Sequence, residues 1–123
     1  MITKITNEDL ERHAKWLDGE DGGVRIMVES WADLQEADLQ GADLQKADLQ
    51  GADFDYSCFP LWCGSAGMKF DKRLFCQLVA HLCALDVDDE ECKKAQIALL
   101  PLAKQSHRAG ELQKWFVKER NDD

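Results

Sequence analysis

The chain has little of what catalytic, secreted or membrane proteins usually rely on. Its 123 residues include two prolines, Pro60 and Pro101, and only 8% aromatic side chains. No stretch approaches the roughly 18 apolar residues of a membrane span, and no charged-then-apolar leader precedes the first helical segment. No membrane partner is expected, and the expected location is the cytoplasm. There is no Gly-rich phosphate loop, no nucleophile elbow and no His-Glu-x-x-His. Nor is there a carboxylate pair set apart from a repetitive Asp series. A noncatalytic protein with no catalytic residues is therefore expected. Hydrophobic content of 45% is ordinary for a folded globular chain.

The five cysteines, Cys58, Cys63, Cys76, Cys83 and Cys92, are odd in number and contain no Cys-x-x-Cys pair. Zinc sites usually show close pairs, and disulfide scaffolds an even count. Cys76 and Cys83 are seven apart and fall on one helix face with apolar residues, as small core side chains do. His13, His81 and His107 lie on three separate segments and read as structural. No cofactor and no metal site is expected. The enzyme-like alternative is a metal or redox site using Cys58, Cys63 and His81, which stoichiometric zinc would support.

Basic residues are scarce in one place above all. Residues 31–56 carry seven acidic side chains against the single base Lys46, while residues 57–123 balance ten against ten. Two-thirds of the formal charge of -9 thus sits on 26 residues.

The same stretch holds a five-residue repeat. It begins as Ala32-Asp33-Leu34-Gln35-Glu36, continues in units led by Ala37, Ala42, Ala47 and Ala52, and ends in a degraded unit led by Ser57. A period of five fits neither the 3.6-residue helical turn nor the two-residue alternation of a strand. Leu34, Leu39, Leu44, Leu49, Phe54 and Phe59 can share one interior only if the chain turns a corner in every unit. The large apolar residue and the small residue two before it then point inward, and the Asp points out.

This pattern resembles the pentapeptide repeat family, Ala-(Asp or Asn)-Leu-x-x. The resemblance implies fold class α+β with a short right-handed quadrilateral β-helix of about twenty residues per coil, placing Phe54 over Leu34 and Phe59 over Leu39. The predicted organisation is an N-terminal helix and lead-in over 1–30, the β-helix over 31–60 and a C-terminal helical domain over 61–123. The repeat covers only about one and a half coils, so the flanks must cap its open ends.

Those flanks are readable. Thr6 as N-cap with Asp9 three residues on, and acidic residues in the first turns, start a helix carrying Leu10, Ala14 and Leu17 with His13 and Trp16 beside them. It ends near Gly19. Asp21-Gly22-Gly23 is a turn, and Val24–Val28 alternates as a short strand. After Pro60 and the Gly64–Gly67 loop, Asp71 can cap a helix with Leu74, Phe75, Leu78, Val79, Leu82 and Leu85. Asp88 or Asp89 can cap a second with Ala95, Ala98, Leu99 and Leu102, interrupted near Pro101. Ser106 opens a third with Leu112, Trp115 and Phe116.

The charge suggests a partner. Asp33, Asp38, Asp43, Asp48 and Asp53 occupy equivalent outward positions, with Glu36 and Asp55 adding charge nearby. A short polar side chain at this place can serve the fold by bonding nearby backbone. Asn would do so without charge, yet each of the five units led by Ala has Asp, and packing like charges together destabilises the free protein. An acidic surface repels nucleic acid, so no direct nucleic-acid binding is expected. It attracts basic proteins that bind nucleic acid. Duplex DNA carries one charge per roughly 1.7 Å, so a body two coils thick matches a few base pairs.

The segments His13-Ala14-Lys15-Trp16-Leu17, Gly19-Glu20-Asp21-Gly22-Gly23, Leu61-Trp62-Cys63-Gly64-Ser65, Met68-Lys69-Phe70-Asp71 and Cys83-Ala84-Leu85-Asp86 look like small pentapeptide-repeat proteins of phages and prophages. That likeness extends to phage-encoded anti-CRISPR inhibitors of type I-C systems that imitate DNA, acting in a bacterial host. It implies a noncatalytic inhibitor presenting Asp33, Glu36, Asp38, Asp43, Asp48, Asp53 and Asp55 to a basic DNA-binding protein. The implied partner is the subunit of a type I Cascade complex that reads the protospacer-adjacent motif (PAM). The alternatives are a protein–protein interaction or scaffold module, in which Trp62, Trp115 or Phe116 form an exposed apolar patch, and a mimic directed at another DNA-binding protein such as a topoisomerase.

Overall fold

A computed structural model describes residues 2–39, 41–57 and 59–117. The chain divides into two compact units, Met1–Asp71 and Lys72–Asp123.

The first unit opens with helix α1, Asn7–Leu17, whose start is a capping box. The Asp9 backbone N–H donates to the Thr6 hydroxyl, and the Asp9 carboxylate accepts from the Thr6 backbone N–H. Two of the amides that a helix start leaves without partners are thereby satisfied. Asp18 caps the other end, and Gly19 follows with φ +72°, where the absence of a Cβ removes the left-handed penalty. Of the apolar residues foreseen on its inner face, Leu10 and Leu17 are half-buried and Ala14 is exposed, while His13 is fully buried.

Beyond Gly23 the chain proceeds by regular corners. In each pentad the amide of the leading small residue donates to the carbonyl of the large apolar residue three positions earlier: Ala37 to Leu34, Ala42 to Leu39, Ala47 to Leu44, Ala52 to Leu49 and Ser57 to Phe54. The fifth residue of the pentad supplies the reversal, with positive φ at Trp31, Glu36, Lys46, Gly51 and Tyr56. A left-handed third residue closed by a bond from the fourth N–H to the first C=O is the pattern of a type II turn. Four of these five residues are not glycine, and each bears a left-handed cost of roughly 1–2 kcal/mol. The corners persist because their other side chains are well placed inside. Leu34, Leu39, Leu44, Leu49 and Phe54 are buried, as are Ala32, Ala42, Ala47 and Ala52.

The predicted β-helix is not what forms, and the α+β class is corrected accordingly. Among the described residues there is no strand and no sheet, and helices are the only regular elements. Successive passes of the chain meet at single parallel bridges, Ile2 with Val28, Met27 with Asp48, Asp33 with Asp53 and Asp48 with Lys69. The physical reason is the corner spacing. A strand needs consecutive extended residues bonded to one neighbour, whereas a turn in every pentad breaks the run after one bridged position. For the same reason Val24–Val28 is not a strand, although Ile26 and Val28 are buried and Met27 between them is exposed. The pairing also runs past the repeat's end at Pro60. Leu44, Lys46 and Leu49 donate their amides to the carbonyls of Gly64, Ala66 and Lys69. Phe70 then packs against Phe54 and Phe59 at centroid distances of 5.7 and 5.9 Å.

His13 ties α1 to this coil. Its Nδ1 accepts from the Ile26 backbone N–H at 3.0 Å, so the proton resides on Nε2, which donates to the Gln45 carbonyl at 2.7 Å. Trp16 stacks on the imidazole, and the Arg25 guanidinium lies over the indole while its Nε donates to the Lys46 carbonyl. Gly23 is required here, because a Cβ at that position would collide with the Lys15–Trp16 backbone.

The second unit holds α2 (Lys72–Cys83), α3 (Glu90–Ala103), the short α4 (Ala109–Leu112) and a 3₁₀ turn over Gln113–Trp115. Asp89 caps α3 by accepting from the Cys92 amide. That bond holds the Asp89 carboxyl below the usual carboxylate range. Pro101 lies inside α3, which continues to Ala103 rather than breaking as foreseen. Val79, Ala80, Cys83, Leu100, Ala103 and Phe116 form the core. Gln96 is buried at its edge and donates to the carbonyls of Leu82 and Leu85, fastening the end of α2 to α3. The foreseen inner face of α2 is only partly right. Leu74 and Val79 are buried with Cys76 and Cys83, but Phe75, Leu78, Leu82 and Leu85 are exposed.

Two substitutions test this account of the first unit. Leu44→Ala, at a fully buried position, is expected to lower stability by about 2–5 kcal/mol in urea titration. His13→Ala, which strands a buried amide and a carbonyl together, is expected to lower it by about 2–4 kcal/mol while leaving helix content near that of the parent by circular dichroism.

Candidate functional site

The aspartates of the repeat are held by the chain they follow. Asp33 Oδ1 accepts from the Gln35 amide at 3.1 Å, and Asp53 Oδ1 from the Asp55 amide at 3.0 Å. Asp43 and Asp48 each accept from both the amide and the side-chain Nε2 of the Gln two residues on, at 3.0 to 3.3 Å. A carboxylate bonded to the backbone two residues ahead steadies the approach to the corner. In all four, Oδ1 does this work and Oδ2 has no protein hydrogen bond among the described residues. The carboxylates are therefore fixed in direction rather than waving on flexible stems.

The register decides which of them meet. Asp33 and Asp53 bridge across adjacent passes, and the Glu36 amide donates to the Asp55 carbonyl at 3.0 Å. Neighbouring hydrogen-bonded passes lie about 4.8 Å apart. Asp33, Glu36, Asp53 and Asp55 thus share one acidic face. Asp38, Asp43 and Asp48 fall on later sides of the same circuit and do not join them. Asp48 instead stands between Met27 and Lys69, so a base borders it. Asp33, Glu36 and Asp38 are exposed, and Asp43, Asp48, Asp53 and Asp55 are half-buried. None of Asp33, Glu36, Asp43, Asp48 and Asp53 forms an ion pair with a described residue.

Sequence reasoning missed what borders the acidic face. Trp31 and Tyr56 occupy the corner position of their units with left-handed backbones, and they are 73% and 69% exposed. The Trp31 amide donates to the Gly51 carbonyl, so one corner of the face carries Trp31 beside Gly51 and the other carries Glu36 beside Tyr56. The advance signal was position alone: Tyr56 takes the fifth place of its pentad and Trp31 the equivalent place just ahead of Ala32, where Glu36 and Lys46 of other units are likewise exposed.

Residues 30–60 match the family model for pentapeptide repeats, in eight copies. This segment is a pentapeptide repeat. No curated protein and no solved structure matches the chain.

Around the pentapeptide repeat, the other candidate groups scatter. No three His, Cys, Asp or Glu side chains stand together as a metal ion would require, among the described residues. Cys58 lies outside them. Cys63 is exposed, while Cys76 and Cys83 are buried. Burial pushes the Cys83 thiol up, and the Asp89 carboxylate does the same to Cys92, so neither is poised as a thiolate. Trp62 and Trp115 are exposed, whereas Phe116 is part of the helical core. No helix among the described residues is long and apolar enough to cross a membrane.

The Oδ1 bonds give a direct test of the aspartates' structural share. Asp43→Asn and Asp48→Asn keep an oxygen in the same place and are expected to stay within about 0.5 kcal/mol of the parent in urea titration. The corresponding Ala variants, which delete the turn bonds, are expected to lose about 1 kcal/mol each.

Proposed function

We propose that the protein is a noncatalytic inhibitor that imitates a short stretch of DNA and occupies the DNA-binding groove of a basic protein. The observation that carries this reading is the face made by Asp33, Glu36, Asp53 and Asp55. Like charges are stacked there on a backbone stiffened by a turn in every pentad, and Asp33, Glu36 and Asp53 have no internal cation to neutralise them. Such an arrangement is unfavourable in the free protein and is relieved when Lys and Arg of a partner take the place of counterions. Asp38, Asp43 and Asp48 extend the negative field around the circuit. Trp31 and Tyr56 at the corners suit the role of anchoring side chains, since exposed aromatics carry much of the energy at protein interfaces.

The extent of the charged face favours a groove that grips few base pairs over one that wraps a long duplex. The PAM-reading subunit of a type I CRISPR surveillance complex is such a site, and an anti-CRISPR role in a bacterial cell is the form of the proposal we favour. The protein would supply no chemistry and need no cofactor. Exclusion of DNA would be the entire effect.

Competition with a short duplex for a reconstituted type I complex tests the reading, with gyrase as a control target. The parent chain is expected to displace the duplex, and its affinity to fall steeply as salt shortens the screening length. The variant Asp33→Asn, Glu36→Gln, Asp53→Asn, Asp55→Asn is expected to bind at least tenfold more weakly at unchanged stability, from roughly 0.5 kcal/mol per exposed ion pair. Undiminished competition by that variant would refute the mimic.

A further inference from the structure

The second unit carries a surface that the acidic face does not explain. On α2 and just beyond its end, Phe75, Leu78, Leu82 and Leu85 recur at spacings of three, four and three residues, which places them on one side of the helix. They are between 40% and 56% exposed, while Val79, Ala80 and Cys83 of the same helix are taken into the core and Leu74 and Cys76 are also buried. An apolar stripe of four large side chains in a row is more than the scattered exposure of an ordinary surface. The backbone beneath it is fixed, because Gln96 donates to the carbonyls of Leu82 and Leu85 at 2.8 and 3.0 Å. Little ordering is left to lose when the stripe is covered.

We propose that the occupant is a second copy of this chain, with two α2 helices packed antiparallel across a two-fold axis level with Ala80. The stripe is symmetric about that residue. Reversing the direction of a second α2 sets Phe75 opposite Leu85 and Leu78 opposite Leu82, so each large side chain meets a large side chain of the other copy. The charges beside the stripe follow the same symmetry. Lys72 is exposed at the start of α2, and Asp86 and Asp88 are exposed in the segment beyond its end, so an antiparallel copy brings these opposite charges to the same end of the stripe. The pairing of Lys72 with Asp86 and Asp88 is made only in the antiparallel sense. A parallel pair would set Lys72 against Lys72 and Asp88 against Asp88. Self-complementarity of one patch is what a two-fold interface requires.

The stripe spans about 15 Å of helix, short of the extent of a permanent dimer, so the association is concentration-dependent. Sedimentation equilibrium of the full chain between about 1 and 300 µM, spanning the affinities of small transient interfaces, is expected to show monomer passing to dimer. Leu78→Glu with Leu82→Glu changes only exposed positions. It is expected to abolish the dimer while the far-ultraviolet circular dichroism and thermal midpoint stay near those of the parent. Lys72→Asp alone is expected to weaken dimerisation at least fivefold, and Lys72→Asp with Asp88→Lys to restore it. A chain that stays monomeric throughout the range, as it would if a different protein covers the stripe, overturns the proposal. So does dimerisation that survives the double Glu variant, or a charge-reversed pair no better than the single reversal.

Discussion

The hydrogen bond from the leading amide of each pentad back to the large apolar residue three positions earlier is the constraint on which the first unit rests. It closes the corner locally, before any contact between distant parts of the chain is made, and at Glu36, Lys46, Gly51 and Tyr56 the fifth residue closes it with a left-handed backbone. Everything else follows from repetition of that corner. The small and large apolar residues are driven to one interior, the Asp is turned outward, and the chain comes back alongside itself at Asp53 next to Asp33. Because the corner recurs so often, the backbone has no room for a strand. Cohesion between passes comes from isolated bridges and spaced backbone hydrogen bonds, and from side-chain burial.

Much of this was legible in the sequence, and the failures are instructive. The capping box of Thr6 and Asp9 could be read because its two bonds depend only on residues three apart. The inward Ala and Leu positions could be read from the period of five. The cap at Asp89 was one of two candidates named. The strand assignment failed because period and inward alternation say which residues are buried, not whether consecutive amides find partners on the same neighbour. The continued pairing of Gly64 to Lys69 with Leu44 to Leu49 was invisible, since those residues keep the register without keeping the composition. On α2 the apolar pattern is broad, interrupted by the line of Arg73, Gln77 and His81, and nothing in the sequence told which part of it would face α3. Val79, Ala80 and Cys83 took the core, and Phe75, Leu78, Leu82 and Leu85 were left outside.

The acidic site was half legible. That carboxylates would project from the repeat followed from position alone. Which of them gather was decided by the register between passes, which brings Asp33, Glu36, Asp53 and Asp55 together and leaves Asp48 beside Lys69. The Oδ1 bonds show that a structural duty and a charged display are not rival explanations of the same Asp. One oxygen steadies the turn, and the other remains for solvent or a partner. Asn would satisfy the first requirement equally well, so the uniform use of Asp speaks to the second.

His13 places one imidazole between two stretches of backbone 19 residues apart in the chain, Ile26 and Gln45. Because it receives on one nitrogen and donates from the other, it can satisfy both only in a single tautomer and a single ring orientation. The helix that bears it is thereby locked in rotation as well as in position. Any homologous chain that lengthened or shortened α1 ahead of His13 would keep this lock, whereas a one-residue insertion between His13 and Gly23 would have to be absorbed in the turn. The loop over 18–23 is the place where natural variation in length should be found.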